Sequence, residues 1–211
     1  MSTVDLKTFD LANPTPEHAM LRETVQSFVQ SEVEPQAHQF DREEKFNLPL
    51  FKKLAELGLL GITVEDTYGG AGMDALAAVI VHEELSYSDP GFCLAYLAHS
   101  MLMVNNFAVN ASEDQKKKML PKMCNGEWVG AMAMSEPAVG TDVLGMQTTA
   151  VRQGDKYILN GRKMWITNGG DADVLVVYAK TDLHAGAKGM TAFLVEKDME
   201  GFSHGTHLDK L

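Results

Sequence analysis

Hydrophobic positions over the first 126 residues recur at helical spacing. Leu21, Val25, Phe28 and Val29 fall at i, i+3/i+4 intervals behind a Thr15-Pro16-Glu17 start signal, which predicts an amphipathic helix. The rhythm runs on through Val33, and Pro35 should kink or end the helix there. LPLFKKLAELG, residues 48–58, predicts a short helix closed by Gly58. A loop-rich stretch, LLGITVEDTYGGAGMD, leads into an apolar helix from about Ala75 to Tyr87. A Ser88-Asp89-Pro90-Gly91 turn opens another, Phe92 to Val109, so poor in charge that it should be buried on most sides. Ser112-Glu113-Asp114-Gln115 is a helix-capping sequence; Pro121 should interrupt that helix and Asn125-Gly126 end it.

After Gly126 the period becomes two. Trp128 to Met134, Gln147 to Arg152, Lys156 to Leu159, Lys163 to Thr167, Val174 to Ala179 and Thr191 to Glu196 read as strands. Asn160-Gly161 is a strong hairpin signal and Gln153-Gly154-Asp155 a looser one. The expected fold class is α+β: an N-terminal all-α domain over residues 1–126, then an antiparallel, barrel-like β-sheet domain over 127–211. The second domain reads as incomplete, because no finishing element follows HGTHLDKL.

Bulk composition narrows the function. The 211 residues are 45% hydrophobic and 22% charged, ordinary for a globular chain. A net charge of -11 disfavours nucleic acid, so an anionic ligand would have to be held by local donors. No apolar run reaches the roughly 18–20 residues that cross a bilayer. MSTVDLKTFD lacks the basic-then-apolar order of a secretory signal. Cys93 and Cys124 fit no metal spacing and point to a reducing compartment, the bacterial cytoplasm being the expectation.

Several motifs dissolve on inspection. Gly201-Phe202-Ser203-His204-Gly205 matches the nucleophile elbow, which would make Ser203 the nucleophile of a serine hydrolase. That elbow needs a following helix and downstream acid and histidine, and only six residues remain, so a plain turn is the better reading. The Gly70-Ala71-Gly72-Met73-Asp74-Ala75 run matches a dinucleotide fingerprint, but Glu65 and Asp66 beside it would repel a pyrophosphate; it reads as a flexible loop entering a helix. His204 and His207 have no cysteine or carboxylate at metal-ligand spacing and read as surface histidines, so no metal is expected. Lys116 to Lys118 read as a solvated helix face.

Two stretches resist. AMAMSEPAVGTD, residues 131–142, is a strand that breaks at Pro137 into a small-residue loop. Taken alone, the loop reads equally as a main-chain anion site or as a tight turn capped by Asp142. RKMWITNGGDAD, residues 162–173, puts Trp165 and Thr167 on one strand face and Ile166 on the other. Indole beside hydroxyl is a poor choice for plain core, because a buried hydroxyl needs a partner.

Read together, AMAMSEPAVGTD, YILNGRKMWITNGG and DADVLVVYAKTD, in that order and spacing, resemble the acyl-CoA dehydrogenase family, in particular its short- and branched-chain members. GLLGITVEDTYGGAGMD, PGFCLAYLAHS, KMLPKMCNGEWVGA and TAFLVEKDMEGFS support the resemblance, which runs from about Leu11 to Leu211. It implies FAD as cofactor. Met132, Ala133, Met134, Ser135, Gly140, Thr141, Trp165, Ile166 and Thr167 would hold it: Trp165 against the isoalloxazine ring, Thr167 near N5, Ser135 at the pyrimidine end, and Gly140 and Thr141 towards phosphate. Thr141, Ala187 and Lys188 would touch the CoA moiety.

The implied reaction is α,β-dehydrogenation of a short or branched-chain acyl-CoA such as isovaleryl-CoA. Electrons would pass to an electron-transfer flavoprotein, within fatty acid or leucine catabolism. The resemblance also implies a homotetramer in the full-length form, with a C-terminal four-helix domain that carries the catalytic base and is absent from this chain. No residue here is therefore expected to be the base, Glu136 being read as structural. A flavin- or CoA-binding half of a split enzyme, or a non-catalytic binding module, is the rival reading.

Overall fold

The computed structural model describes residues 10–206. Helix α1, Pro16–Phe28, starts where Thr15 accepts a hydrogen bond from the His18 N–H and Pro16 takes the first turn. It does not stop before Pro35. Val29–Val33 widen into π geometry and α2, Glu34–Arg42, continues with Pro35 in its first turn, where a missing N–H costs little. Helix α3, Leu48–Glu56, follows, and Gly58 turns the chain in the left-handed region at φ 72°.

Helix α4, Ala75–Ser88, is capped by Asp74, and α5, Pro90–Leu97, by Asp89. Beyond α5 the axis runs on through a second π segment, Ala98–Asn105, into α6, Asn106–Asn110. The continuous Pro90–Asn110 helix is long and apolar enough to cross a membrane by length and composition, which the sequence pattern had not suggested. With 56% of its most apolar window buried, it serves here as the central helix of the core. Helix α7, Glu113–Cys124, carries the Ser112/Gln115 capping box and passes through Pro121 without ending.

The strands are β1 Gly130–Ala133, β2 Thr149–Gln153, β3 Lys156–Asn160, β4 Val174–Lys180 and β5 Met190–Glu196. The sheet is mixed, where an antiparallel one was expected. Strand β4 lies at its centre, antiparallel to β5 along one edge. The other edge takes two partners in succession: β1, parallel, from Gly130↔Val174 to Ala133↔Val177, then β2, parallel, at Thr149↔Lys180. Strand β3 pairs antiparallel with β2.

The physical reason for the difference is that residues 163–167 form no strand, so β1 docks on β4 directly. The hairpin signals also exchange rank. The β2–β3 connection is the Gly154-Asp155 turn, while Gly161 packs against Thr148 so closely that a Cβ would overlap its backbone, and the chain moves on unpaired. The sheet is strongly curled, since Tyr157 of β3 and Phe193 of β5 bring their rings to 5.2 Å although their strands are not neighbours.

One core lies among the helices, around Val25, Phe51, Leu54, Leu85 and Tyr96. A second joins the domains: Met103, Val104, Phe107, Leu120 and Met123 pack on Val174 and Val176 of β4. Leu175 and Val177, pointing the other way, pack with Ala131, Ala133 and Ala172. Strand β4 is thus buried on both faces, as the unbroken apolar run VLVV requires.

Candidate functional site

Alternation along β1 turns Ala131 and Ala133 into the third core and leaves Met132 and Met134 on the opposite face. That face opens on a cavity of ≈ 180 Å³ lined by Ala98, Leu102, Met132, Met134, Ser135, Trp165, Ile166 and Thr167. Ala98 and Leu102 are neighbours on the surface of the π segment, a helical irregularity that recurs at functional sites.

Trp165 is the strained element. Its backbone sits in the left-handed region at φ 63°, and its indole is 58% exposed. Such a conformation costs a bulky L-residue roughly 1–2 kcal/mol. The turn it makes has a consequence that a strand would not have. Trp165, Ile166 and Thr167 all reach the same cavity, where alternation would have sent Ile166 to the far side. The cavity therefore offers an aromatic face, thioether and aliphatic surfaces, and two hydroxyls, Ser135 and Thr167.

Two residues that the sequence motifs did not single out hold this arrangement to the helices. Asn168, also left-handed at φ 63°, donates from Nδ2 to Ala95 O at 2.8 Å and to Gly130 O at 3.3 Å. His99, fully buried, accepts the Gly130 N–H at Nδ1 (2.9 Å), so that Nε2 donates to Met123 O (3.1 Å). Both polar groups of the Gly130 peptide are thus engaged by side chains from other elements. Glycine is required there, because a Cβ would stand 2.5 Å from Met103 Cγ. Burial drives the His99 pKa down to about 4, against its bond to Met123 O, so the ring is neutral at pH 7.

Glu136 is turned away from the cavity, with 5% of its surface accessible. Its carboxylate accepts from Gln147 N (2.7 Å), Thr148 N (3.0 Å), Thr148 Oγ1 (2.5 Å) and Lys163 Nζ (2.9 Å). Burial by itself would raise its pKa; those donors outweigh it and hold the carboxyl at about 2. A carboxylate so engaged is a structural anion, in keeping with the sequence reading, and a poor proton acceptor.

Two family models match the chain in tandem: acyl-CoA dehydrogenase, N-terminal domain, over residues 15–127, and acyl-CoA dehydrogenase, middle domain, over 131–211. The chain belongs to the acyl-CoA dehydrogenase family. It is 51% identical over 199 residues to the mitochondrial isovaleryl-CoA dehydrogenase of Pongo abelii, covering 92% of this chain and 47% of that protein. A chain from the structural study of the electron-transferring flavoprotein of Acidaminococcus fermentans superimposes with a TM-score of 0.91 at 39% identity, covering 95% of this chain and 53% of that one. PigA, solved with FAD and proline, gives a TM-score of 0.89 at 30% identity, over 95% of this chain and 53% of that one. This chain thus spans about half the length of the relatives it matches.

The other residues named from sequence lie apart from the cavity. The Ala133 side chain faces the third core, because it alternates with Met132 and Met134. Gly140 and Thr141 are exposed in the loop beyond Glu136, and the Val139 N–H donates to Glu136 O at 3.0 Å, as in a tight turn. Ala187 and Lys188 sit exposed in a short 3₁₀ turn, Gly186–Gly189. Ser203 is exposed beyond the Gly201 turn, three residues before the last described residue. The Gly70 loop follows no strand; Gly70 packs tightly on the Val64 backbone and the loop delivers Asp74 as a helix cap. Of the two C-terminal histidines, His204 is exposed and His207 lies outside the described residues.

Proposed function

We propose that this chain is the flavin-holding half of an FAD-dependent acyl-CoA dehydrogenase acting on a short or branched-chain acyl-CoA such as isovaleryl-CoA. The observation that carries this is the cavity wall itself, where Trp165, held in a strained left-handed conformation, lines the space together with the Ser135 and Thr167 residues. The arrangement fits a flat heteroaromatic ring: the indole packs against it, Met132, Met134 and Ile166 exclude water from it, and the Ser135 and Thr167 hydroxyls meet its polar edge. Bound FAD supplies the acceptor for the hydride that leaves the β-carbon. In this reading Gly140 and Thr141 extend the site towards phosphate, and Thr141, Ala187 and Lys188 meet the CoA moiety. The Ala98 and Leu102 side chains border the acyl chain.

Among the described residues, none that lines the cavity is an acid or a base, and Glu136 is engaged elsewhere. Removal of the α-proton therefore falls to a group outside this chain, in the portion that the longer relatives possess or in a partner chain. The second possibility is the split-enzyme reading, and the same observation supports it. We further propose electron-transfer flavoprotein as the acceptor of the electrons and a homotetramer as the longer form. The buried thiols of Cys93 and Cys124, raised by burial to about 11, are unreactive and suit a reducing compartment such as the cytoplasm.

The test is a visible spectrum of the purified chain titrated with FAD, then with isovaleryl-CoA. A perturbed flavin band that isovaleryl-CoA leaves unbleached is the expected result. An FAD spectrum unchanged by excess protein refutes the flavin reading, and bleaching places a base within this chain.

A further inference from the structure

We infer that Lys163 is a positioning residue for the flavin-facing wall, acting through the two residues that flank Ser135, the main-chain carbonyl of Met134 and the side-chain carboxylate of Glu136; the inference rests on the flavin reading above. Lys163 lies two residues before Trp165, and its side chain is largely buried, with 11% accessible. Its ammonium donates to Met134 O at 3.0 Å and to Glu136 Oε1 at 2.9 Å, and lies 3.9 Å from Met146 Sδ. Its three protons thus have three partners. The next residue adds a fourth tie, Met164 N–H to Ser135 O at 3.0 Å. Three consecutive residues, 134–136, the first two of which line the cavity, are thus bound to residues 163–164, which lead directly into Trp165 on its other side.

Stability alone does not account for this geometry. Glu136 already accepts from three donors on Gln147 and Thr148, so its burial does not depend on Lys163. What only the lysine supplies is the bond to the Met134 carbonyl, which fixes the peptide leading into Ser135. Because Glu136 neutralises the ammonium, the pair imposes a spacing between Met134 and Ser135 on one side and Trp165 and Thr167 on the other, with little net field at the ring.

Two substitutions separate positioning from stability. Lys163→Met and Thr148→Val each remove one donor from Glu136, but only the first releases Met134 O. FAD affinity and the bound-flavin spectrum are measured on the 211-residue chain, with amide exchange of residues 134–136 and Met164 followed without flavin. Lys163→Met is expected to weaken FAD binding about tenfold, the equivalent of one hydrogen bond, to shift the bound-flavin band and to speed exchange of Met164. Thr148→Val should lose thermal stability while keeping wild-type affinity and spectrum. Equal affinity losses in the two variants, or none in Lys163→Met, overturn the inference.

If Lys163→Met does not fold, Lys163→Arg keeps the pair with Glu136 but displaces the donor from Met134 O. It should then fold and bind FAD more weakly; wild-type affinity in that variant overturns the inference. Failure of the unaltered chain to take up FAD refutes the flavin reading. Amide exchange then decides the clamp, and unchanged exchange in Lys163→Met overturns it.

Discussion

Acidification to pH 5 should loosen the seam between helices and sheet through one side chain, His99. The imidazole is fully buried and committed to one tautomer, with Nδ1 facing the Gly130 N–H and Nε2–H facing Met123 O. A proton on Nδ1 would set donor against donor. The unfolded chain takes up that proton near pH 6.5, the folded chain only near 4. Stability is therefore full above the unfolded value, falls as pH drops, and has lost all of this contribution below the folded one. At pH 5 the loss is about 2 kcal/mol, of a limiting value of about 3 kcal/mol. Urea unfolding at pH 7 and pH 5, on the wild type and on His99→Gln, measures it. The glutamine amide offers one acceptor and one donor without titrating, and the other ionisable groups, including His82, are common to both proteins. The wild type should lose about 2 kcal/mol more than the variant, or roughly 1 M in midpoint at ordinary urea slopes. Equal pH dependence in the two proteins would refute the reasoning.

Two further substitutions test the site's framework. Asn168→Ala should cost about 3 kcal/mol, combining roughly 1–2 for a left-handed alanine with roughly 1–3 for two carbonyls that lose their donor. Thermal unfolding should show Asn168→Gly to be milder, and equal damage by the two would remove the backbone contribution. Trp165→Ala should leave the chain folded, as thermal unfolding would show, yet weaken FAD binding measured by flavin absorbance. Wild-type affinity in that variant would take Trp165 out of the site.

The helices were legible because their signals are local. Asp74, Asp89 and Ser112 each cap a helix through a bond to a backbone N–H three residues on, and a short window contains both partners. Residues 163–167 were not legible, since Lys-Met-Trp-Ile-Thr carries the same alternation as a strand. Its shape is decided by Lys163 meeting a carboxylate 27 residues away and by Asn168 reaching a carbonyl 73 residues away. The cavity wall formed by Met132, Met134, Ser135, Trp165, Ile166 and Thr167 could be named through the family motifs. Their convergence could not be derived from alternation, which misplaced Ile166. His99 and Asn168 escaped notice for a related reason. Their partners are main-chain groups, which leave no trace in side-chain identity, although a lone histidine inside an apolar helix was a signal that a buried acceptor was needed.

Because β1 and β2 dock one after the other on a single edge of β4, at Val177 and at Lys180, residues 134–148 leave and rejoin the sheet only three residues apart. Measured along a strand, that gap is about 10 Å. The edge on which both ends are anchored is specified by β4 itself, whatever lies between. Register is set at those two anchors, so a change of length within the excursion should leave the strands in place, provided that Met134 to Glu136 and Met146 to Thr148, which meet Lys163 and one another, are kept at its two ends.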